Sequence, residues 1–453
     1  MSSNLEDTAN GSSGEGEQVS IQDALSMAVD LQRDGRIPEA AYIYLQILAA
    51  VPDHIDALHL LGVAEHQVGR PELALKHISR ALELAPDHAD ALSNRGNVHR
   101  SLRQMDEAEA DYRRALVLRP QDPNTLNNLG SLLRARGDLE DAVATFREVI
   151  AVQPDHSAAW QNLGGTLQNL QRGAESLAAF REAARLAPES PDMYRDMGGA
   201  LYFEGRYHDA AEMYRRCLAL SPDDARAKHM LASCGVGEVP ARASDAFVRA
   251  LFDGYAPTFE ASLARLDYRG PELVSEAVEA IAGDVPAQAS VLDAGCGTGL
   301  CGPLLRPRAG RLVGVDLSSG MVALARDRAV YDELVVEELT SHLGAHNRSY
   351  DIIASADTFE YFGDLREVLA AAASAMRSRG ALVFTVERAG PEEAKPGYRL
   401  NPHGRYSHTR AYVAETLGQV GLLAVDIREV QLRKELHQWV AGYLVCARGP
   451  VLP

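Results

Sequence analysis

Small, apolar and turn-forming residues recur with one fixed period over the first half of the chain. Prolines stand at 52, 86, 120, 154, 188 and 222, a constant spacing of 34. Leu61-Gly62, Leu129-Gly130, Leu163-Gly164 and Met197-Gly198 keep that register. So do Ala40, Ala74, Ala108, Ala142 and Ala210, and four residues after each alanine position come Tyr44, Ile78, Tyr112, Phe146, Phe180 and Tyr214. The pattern predicts six antiparallel helix pairs over residues 20–235: small residues admit close approach, a bulky one fills the gap above them, and proline stops the second helix. Ala225 to Cys234 would add a capping helix. Arg95, at a usually apolar position, and Ser176, where alanine is expected, are mild departures.

Gly235-Val-Gly-Glu-Val-Pro240 breaks the helical pattern and opens a linker over 236–285. Its aromatic-rich part, Ala246 to Glu260, is followed by a helix opened by Tyr268-Arg-Gly-Pro271 and reaching to about Ala282. From residue 286 onward short apolar runs alternate with helical segments, which implies a parallel sheet covered on both faces. The runs are Val291-Leu292, Arg311 to Leu317, Glu333 to Leu339, Tyr350 to Asp357 and Ala381 to Glu387. A long polar insert then passes through Pro402-His-Gly-Arg-Tyr-Ser-His408. Two further strands, near Leu422 to Arg433 and Trp439 to Cys446, are expected to pair antiparallel, with Arg433 and His437 packing at their connection.

The first strand of this half runs into Asp293-Ala-Gly-Cys-Gly-Thr-Gly299, a sharp turn into a helix that only glycine allows to approach a ligand closely. In a dinucleotide site the turn receives a pyrophosphate, which a carboxylate such as Asp293 would repel. A ligand carrying an ammonium and a sulfonium would be attracted. Asp316, seventeen residues past Gly299 at the end of the second strand, is placed to accept from ribose hydroxyls. Asp-x-Gly-x-Gly-x-Gly resembles the signature of class I S-adenosylmethionine-dependent methyltransferases. The resemblance implies S-adenosyl-L-methionine as cofactor, held by Asp293, Gly295, Cys296, Gly297, Gly299, Asp316 and Leu317. It also puts Met321 against adenine, Glu338 beside Leu339 as an acceptor from the adenine amino group, and Asp357 beside the reacting methyl. Phe252, Tyr255 and Phe259 are similar to aromatic lid residues upstream of small-molecule methyltransferases, although they could equally pack the helix down.

The repeat period resembles that of tetratricopeptide (TPR) proteins, with Trp160-Gln-Asn-Leu-Gly164 the fullest match to their opening motif. Asn94, Asn128 and Asn162 fall at one position of three consecutive repeats, on the face that lines the concave groove in that family. The row is similar to the asparagine ladder of O-linked N-acetylglucosamine transferase, and amides can hold a peptide main chain whatever its sequence. Asparagine in Asn-Leu-Gly can also serve only its own helix.

The 453 residues suffice for two or three domains. The reading is α + α/β: a disordered tail over 1–19, an all-α TPR solenoid over 20–235, the linker and lid, and over 286–453 a Rossmann-like class I methyltransferase domain with a seven-stranded, mostly parallel sheet. A formal charge of -18 argues against nucleic acid or anionic membrane as general partners. Five unpaired cysteines without metal-ligand spacing, and no long apolar run or signal peptide, point to a cytoplasmic setting without a bound metal.

Methyl transfer from a sulfonium needs alignment, exclusion of water and, for a hydroxyl or protonated amine, a base. His408 is the first choice for that base, Glu387 the second, with Tyr406 beside them; His408 could instead cap the helix that follows. The Arg405-Tyr-Ser-His408 stretch resembles one in predicted bacterial methyltransferases that carry TPR repeats. Three functions are compatible with these patterns. One is a methyltransferase whose repeats recruit a protein or peptide. Another methylates a small molecule and uses its repeats to dimerise. The third is an interaction scaffold with a degenerate cofactor fold.

Overall fold

The computed structural model describes residues 19–256, 259–281, 283, 288–394, 397–435 and 438–449, so His437 and all but the last residue of the tail expected over 1–19 lie outside the described residues. The chain divides into two compact units, Met1–Pro188 and Glu189–Pro453.

Five helix pairs fill the first unit: α1 (Ile21–Arg33) with α2 (Ile37–Ala50), α3 (Ile55–Gln67) with α4 (Pro71–Leu84), α5 (Ala89–Ser101) with α6 (Met105–Leu118), α7 (Pro123–Arg136) with α8 (Leu139–Val152), and α9 (Ser157–Asn169) with α10 (Gly173–Leu186). Each first helix starts at a side-chain cap. Ser20, His54, His88, Asp122 and His156 accept from the main-chain N–H three residues on, at 2.7 to 3.3 Å. Within a pair the glycine of the first helix faces the bulky residue of the second. A Cβ on Gly96, Gly130 or Gly164 would lie 2.6, 2.7 or 2.9 Å from the ring of Tyr112, Phe146 or Phe180. The two departures from the repeat pattern have local partners. Arg95 forms two 2.7 Å hydrogen bonds to the buried Asp111 of α6. Ser176 donates to the Gly164 carbonyl at 2.8 Å.

The second unit opens with the sixth pair, α11 (Pro191–Phe203) and α12 (Tyr207–Leu220), followed by α13 (Ala225–Ser233). Then come α14 (Asp245–Tyr255), α15 (Phe259–Leu263) and α16 (Gly270–Ile281). The sheet strands are β1 (Ala289–Ala294), β2 (Ala309–Asp316), β3 (Glu333–Val336), β4 (Tyr350–Ser355), β5 (Met376–Arg388), β6 (Tyr398–Leu400), β7 (Tyr406–His408), β8 (Leu423–Glu435) and β9 (Gln438–Arg448). Between them lie α17 (Gly302–Leu305), α18 (Ser319–Asp327), α19 (Leu339–Ala345), α20 (Arg366–Ala375) and α21 (Arg410–Gln419).

Strands β3, β2, β1, β4 and β5 run parallel in that spatial order, and β9 then pairs antiparallel with both β5 and β8. Seven strands thus give the Rossmann-like sheet with its antiparallel edge. Alternation along the strands feeds two cores. Leu292, Val313, Ile353 and Leu382 pack with α19, α20 and α21 on one face. Val291, Leu312, Ile352 and Val383 pack with α16 and α17 on the other.

Two elements differ from the sequence expectation. The third strand stops at Val336 rather than Leu339, because the Glu338 carboxylate caps α19. The polar insert is not irregular: β6 and β7 form a hairpin, and β7 extends the sheet by pairing with Glu387 and Arg388 of β5. Helix α13 is fastened to this hairpin, with His229 Nε2 2.7 Å from the Gly404 carbonyl and Ala232 packed on Leu400 and Tyr406.

Gly130→Ala should destabilise the repeats by roughly 1–3 kcal/mol through overpacking against Phe146. Gly199→Ala, whose Cβ meets nothing within 4 Å, should stabilise α11 by roughly 0.5–1 kcal/mol. Denaturant unfolding of the full chain, followed by helical circular dichroism, checks the opposite signs.

Candidate active site

The turn after β1 reverses with positive φ at all three glycines: 77° at Gly295, 52° at Gly297 and 83° at Gly299. The main-chain N–H groups of Gly295 and Cys296 both donate to the Val315 carbonyl, at 2.8 and 2.9 Å, which ties the turn to β2. A Cβ on Gly295 would collide with Thr358, while one on Gly297 would meet nothing within 4 Å. The turn is therefore closed at its base and open at its middle. Asp316 closes onto it from β2: one oxygen accepts from Gly297 N at 2.9 Å and the other from Ser318 N at 2.8 Å. Burial raises the Asp316 carboxyl above its ordinary range even against these N–H donors.

Asp293 lies under the turn, 1% exposed. Its Oδ2 accepts from the Tyr331 hydroxyl at 2.6 Å, and among the described residues Oδ1 has no hydrogen-bond partner. Burial pushes this carboxyl up to about 7, opposed by the Tyr331 hydrogen bond. Beyond Asp316, the Glu337 N–H donates to the Asp316 carbonyl at 3.0 Å, which brings the start of α19 alongside. There Glu338 accepts from Thr340 N and Ser341 N at 3.0 and 2.8 Å, so its carboxylate is engaged as a helix cap. Leu317 is half-buried; Met321 and Leu339 are buried below the same rim.

The segment expected to act as a lid is anchored to the β2–α18 loop. Asp253 Oδ1 accepts from Ser318 Oγ at 2.5 Å and from Gly320 N at 3.2 Å. Phe252 packs edge-on against Phe259 and against Tyr361, at 6.1 and 5.4 Å between centroids. Tyr255 is 48% exposed on the same helix.

At the carboxyl ends of β4 and β5 sits a buried ion network. Arg433 of β8 donates to Asp357 at 2.6 Å, to Glu360 at 3.3 Å, to Glu435 at 2.7 Å and to Glu387. Arg405 donates to Glu387 at 2.8 Å and to Glu435 at 2.5 Å, and lies 3.5 Å from Glu360. His403 Nε2 is 3.2 Å from Glu387 Oε2. At Glu387 burial favours the neutral form, but Arg405, His403 and Arg433 hold this carboxyl well below the usual range. At Glu360 burial wins over Arg433 and raises the carboxyl well above it. Asp357 has φ of +52°, left-handed for a non-glycine residue, and both its N–H and its Oδ1 bond Thr385 Oγ1 at 2.8 Å. Its neighbour Thr358 reaches the Gly295 carbonyl at 3.4 Å, so the network adjoins the glycine turn.

Arg433 thus brings Glu387 and Asp357 together, but His408 and Tyr406 lie outside this network. His408 is fully buried in β7, with Nε2 3.0 Å from the Gly363 carbonyl and its ring stacked on Tyr412; burial lowers it to about 4. Tyr406, also fully buried, donates to the Pro240 carbonyl at 2.8 Å. The hairpin turns both side chains into packing, where they fasten the insert to the linker and to the loop after β4. Asn94, Asn128 and Asn162 are half-buried on first helices. Asn94 Nδ2 lies 2.8 Å from His59 Nε2, and Asn162 donates to Asn127 at 3.0 Å, so two of the three amides bridge successive repeats. Sequence reasoning missed Tyr331 and Asp253, and it read Arg433 as packing only. A charged residue next to the apolar Leu432 at a strand end was the one hint of its burial.

Because the native state holds Asp293 above its ordinary carboxyl range, it binds a proton that the unfolded chain has lost between about pH 4 and 7. Stability from this group is full below that window and is lost as pH rises through it. Asp293→Asn should remove this slope, a difference of up to roughly 4 kcal/mol across the window. Denaturant unfolding of wild type and variant at pH 4.5 and 8 measures it.

Known proteins match both halves of the chain. A family model described as a methyltransferase domain matches residues 292–384. Models described as tetratricopeptide repeat match residues 25–86, 87–155, 127–191 and 191–234. Among curated relatives, a malonyl-[acyl-carrier protein] O-methyltransferase of Acetivibrio thermocellus is 32% identical over 104 residues, 22% of this chain and 37% of that one. A ubiquinone biosynthesis O-methyltransferase of Hydrogenovibrio crunogenus is 28% identical over 100 residues, 21% of this chain and 42% of that one. The chain thus spans well under half the length of either. Of solved structures, the APC/C hetero-tetramer Cut9-Hcn1 matches at 18% identity with a TM-score of 0.44, over 47% of this chain and 42% of that one. Among the described residues no helix is long and apolar enough to cross a membrane. The chain thus carries a methyltransferase domain behind a run of tetratricopeptide repeats.

Proposed function

We propose that the chain transfers a methyl group from S-adenosyl-L-methionine to an oxygen or nitrogen acceptor, and that its repeats engage a protein or peptide. The observation that carries this reading is the glycine turn, open at Gly297, closed by Asp316, and underlain by a carboxylate with one buried oxygen that has no partner among the described residues. Such a turn suits a ligand with cationic groups and ribose hydroxyls, and the residues present fit that cofactor. When bound there, the cofactor would supply an electrophilic methyl on a sulfonium.

In this reading Gly295, Cys296, Gly297 and Gly299 shape the cradle, and Asp293 faces its cationic end. Asp316 takes the ribose hydroxyls through lone pairs not used by the N–H groups of Gly297 and Ser318. Leu317, Met321, Glu338 and Leu339 border the adenine, while Phe252, Tyr255 and Phe259 exclude water from above. Asp357 and Thr358 carry the cradle into the ion network, which forms the acceptor side. The imidazole suited to removing an acceptor proton is His403 rather than His408. It is one-third exposed, and Glu387 orients it from 3.2 Å. The names of the two O-methyltransferase relatives favour an oxygen acceptor.

Asp316→Ala should weaken S-adenosylmethionine binding at least tenfold by calorimetry, since hydrogen bonds from two hydroxyls to a carboxylate are lost. Incubation of the wild type with methyl-labelled cofactor and a cell extract should yield a labelled species that the variant does not produce. Absence of cofactor binding by the wild type would instead favour an interaction scaffold.

Replacing Asn94, Asn128 and Asn162 together by alanine should weaken partner retention in a pull-down while the helical content and methyl transfer to a small acceptor persist. Unchanged retention removes the groove from the reading and leaves dimerisation as the role of the repeats.

A further inference from the structure

The ring of Tyr331 occupies a berth made by three glycines from three different segments. A Cβ on Gly299 of the turn would lie 3.0 Å from that ring, one on Gly302 of α17 2.7 Å, and one on Gly314 of β2 3.0 Å. Any side chain at these positions would displace the phenol. Its hydroxyl ends 2.6 Å from Asp293 Oδ2, leaving Oδ1 buried and without a partner among the described residues. The glycines thus serve two surfaces: the open one above the turn and an aromatic berth beneath it.

We propose that Tyr331 is a positioning residue for the cofactor: its hydroxyl fixes the Asp293 carboxylate by one oxygen so that the other is presented, ionised, to the ligand's cationic end. The inference rests on the reading that S-adenosylmethionine binds at this turn. Among the described residues, the groups acting on Asp293 are Tyr331, Asp316 of β2, and the thiols Cys296 of the turn and Cys301 before α17. No cation is among them. Asp316 disfavours ionisation of Asp293, and the Tyr331 hydrogen bond favours it. Both thiols are held by burial well above their ordinary value, so they stay neutral at pH 5.5 to 9. Tyr331 is therefore the neighbour that opposes burial in keeping Asp293 charged near neutrality, and the cofactor's positive charge would complete what it starts.

The test is the pH dependence of S-adenosylmethionine affinity, by calorimetry from pH 5.5 to 9, for the full-length wild type and Tyr331→Phe, which keeps the ring in its berth. The wild type should bind more tightly as pH rises through the Asp293 titration. The variant should bind about tenfold more weakly at neutral pH, with the midpoint of the rise displaced upward by about one pH unit. A purely structural role would lower affinity equally at every pH, and an unmoved midpoint overturns the proposal. If the wild type shows no binding at any pH, the cofactor reading itself falls and the inference with it. Should the variant unfold, the ligand-free wild type decides by NMR. A Tyr331 hydroxyl proton in slow exchange whose shift follows the Asp293 carboxyl titration supports the proposal, and a freely exchanging one overturns it.

Discussion

The recurring constraint in this chain is a bulky side chain seated where a glycine has no Cβ. In the repeats it sets the distance between paired helices: Tyr112, Phe146, Phe180 and Tyr214 each cover a glycine of the partner helix. In the catalytic sheet the same contact recurs without any period. Tyr331 lies on Gly299, Gly302 and Gly314, Tyr406 on Gly363, Tyr412 on Gly397, and Leu432 on Gly442. A ring in van der Waals contact with main chain buries a large apolar area and, when it is a tyrosine, delivers a hydroxyl to the far side. Tyr331 delivers its hydroxyl to Asp293, Tyr406 to the linker and Tyr412 to Asp364. Packing and polar positioning are therefore one contact.

The ion network beside the cradle follows a different logic. Four carboxyls share two guanidiniums in a region where desolvation opposes charge. The outcome is unequal, with Glu387 held ionised and Glu360 pushed toward neutrality. The strained Asp357 backbone is held by Thr385 and Arg433 together, from β5 and β8.

The repeats were legible because each makes the same contacts as its neighbour, so one packing rule is written six times. The glycine turn was legible for a related reason: its positive φ angles admit few residues, and Asp293 before it and Asp316 after it stand at fixed spacing. The ion network was not. Arg433 meets Asp357 across 76 residues, and the berth of Tyr331 draws on three segments, none of which announces an aromatic partner. His408 and Tyr406 were misjudged because a polar insert was taken to be a loop. Once its ends pair as β6 and β7, those two side chains belong to the interior, and His403 and Arg405 at the bend are the ones left beside Glu387.

Helix α13 ends the repeat pattern, yet His229 grips the bend between β6 and β7 and stacks on Phe247 of α14 at 3.9 Å. The last repeat element is thus a structural part of the transferase rather than a detachable adaptor. Any replacement for this terminal helix must also supply the imidazole that holds Gly404 between His403 and Arg405. Shuffling of modules in this architecture would therefore conserve its seam upstream of the apparent linker.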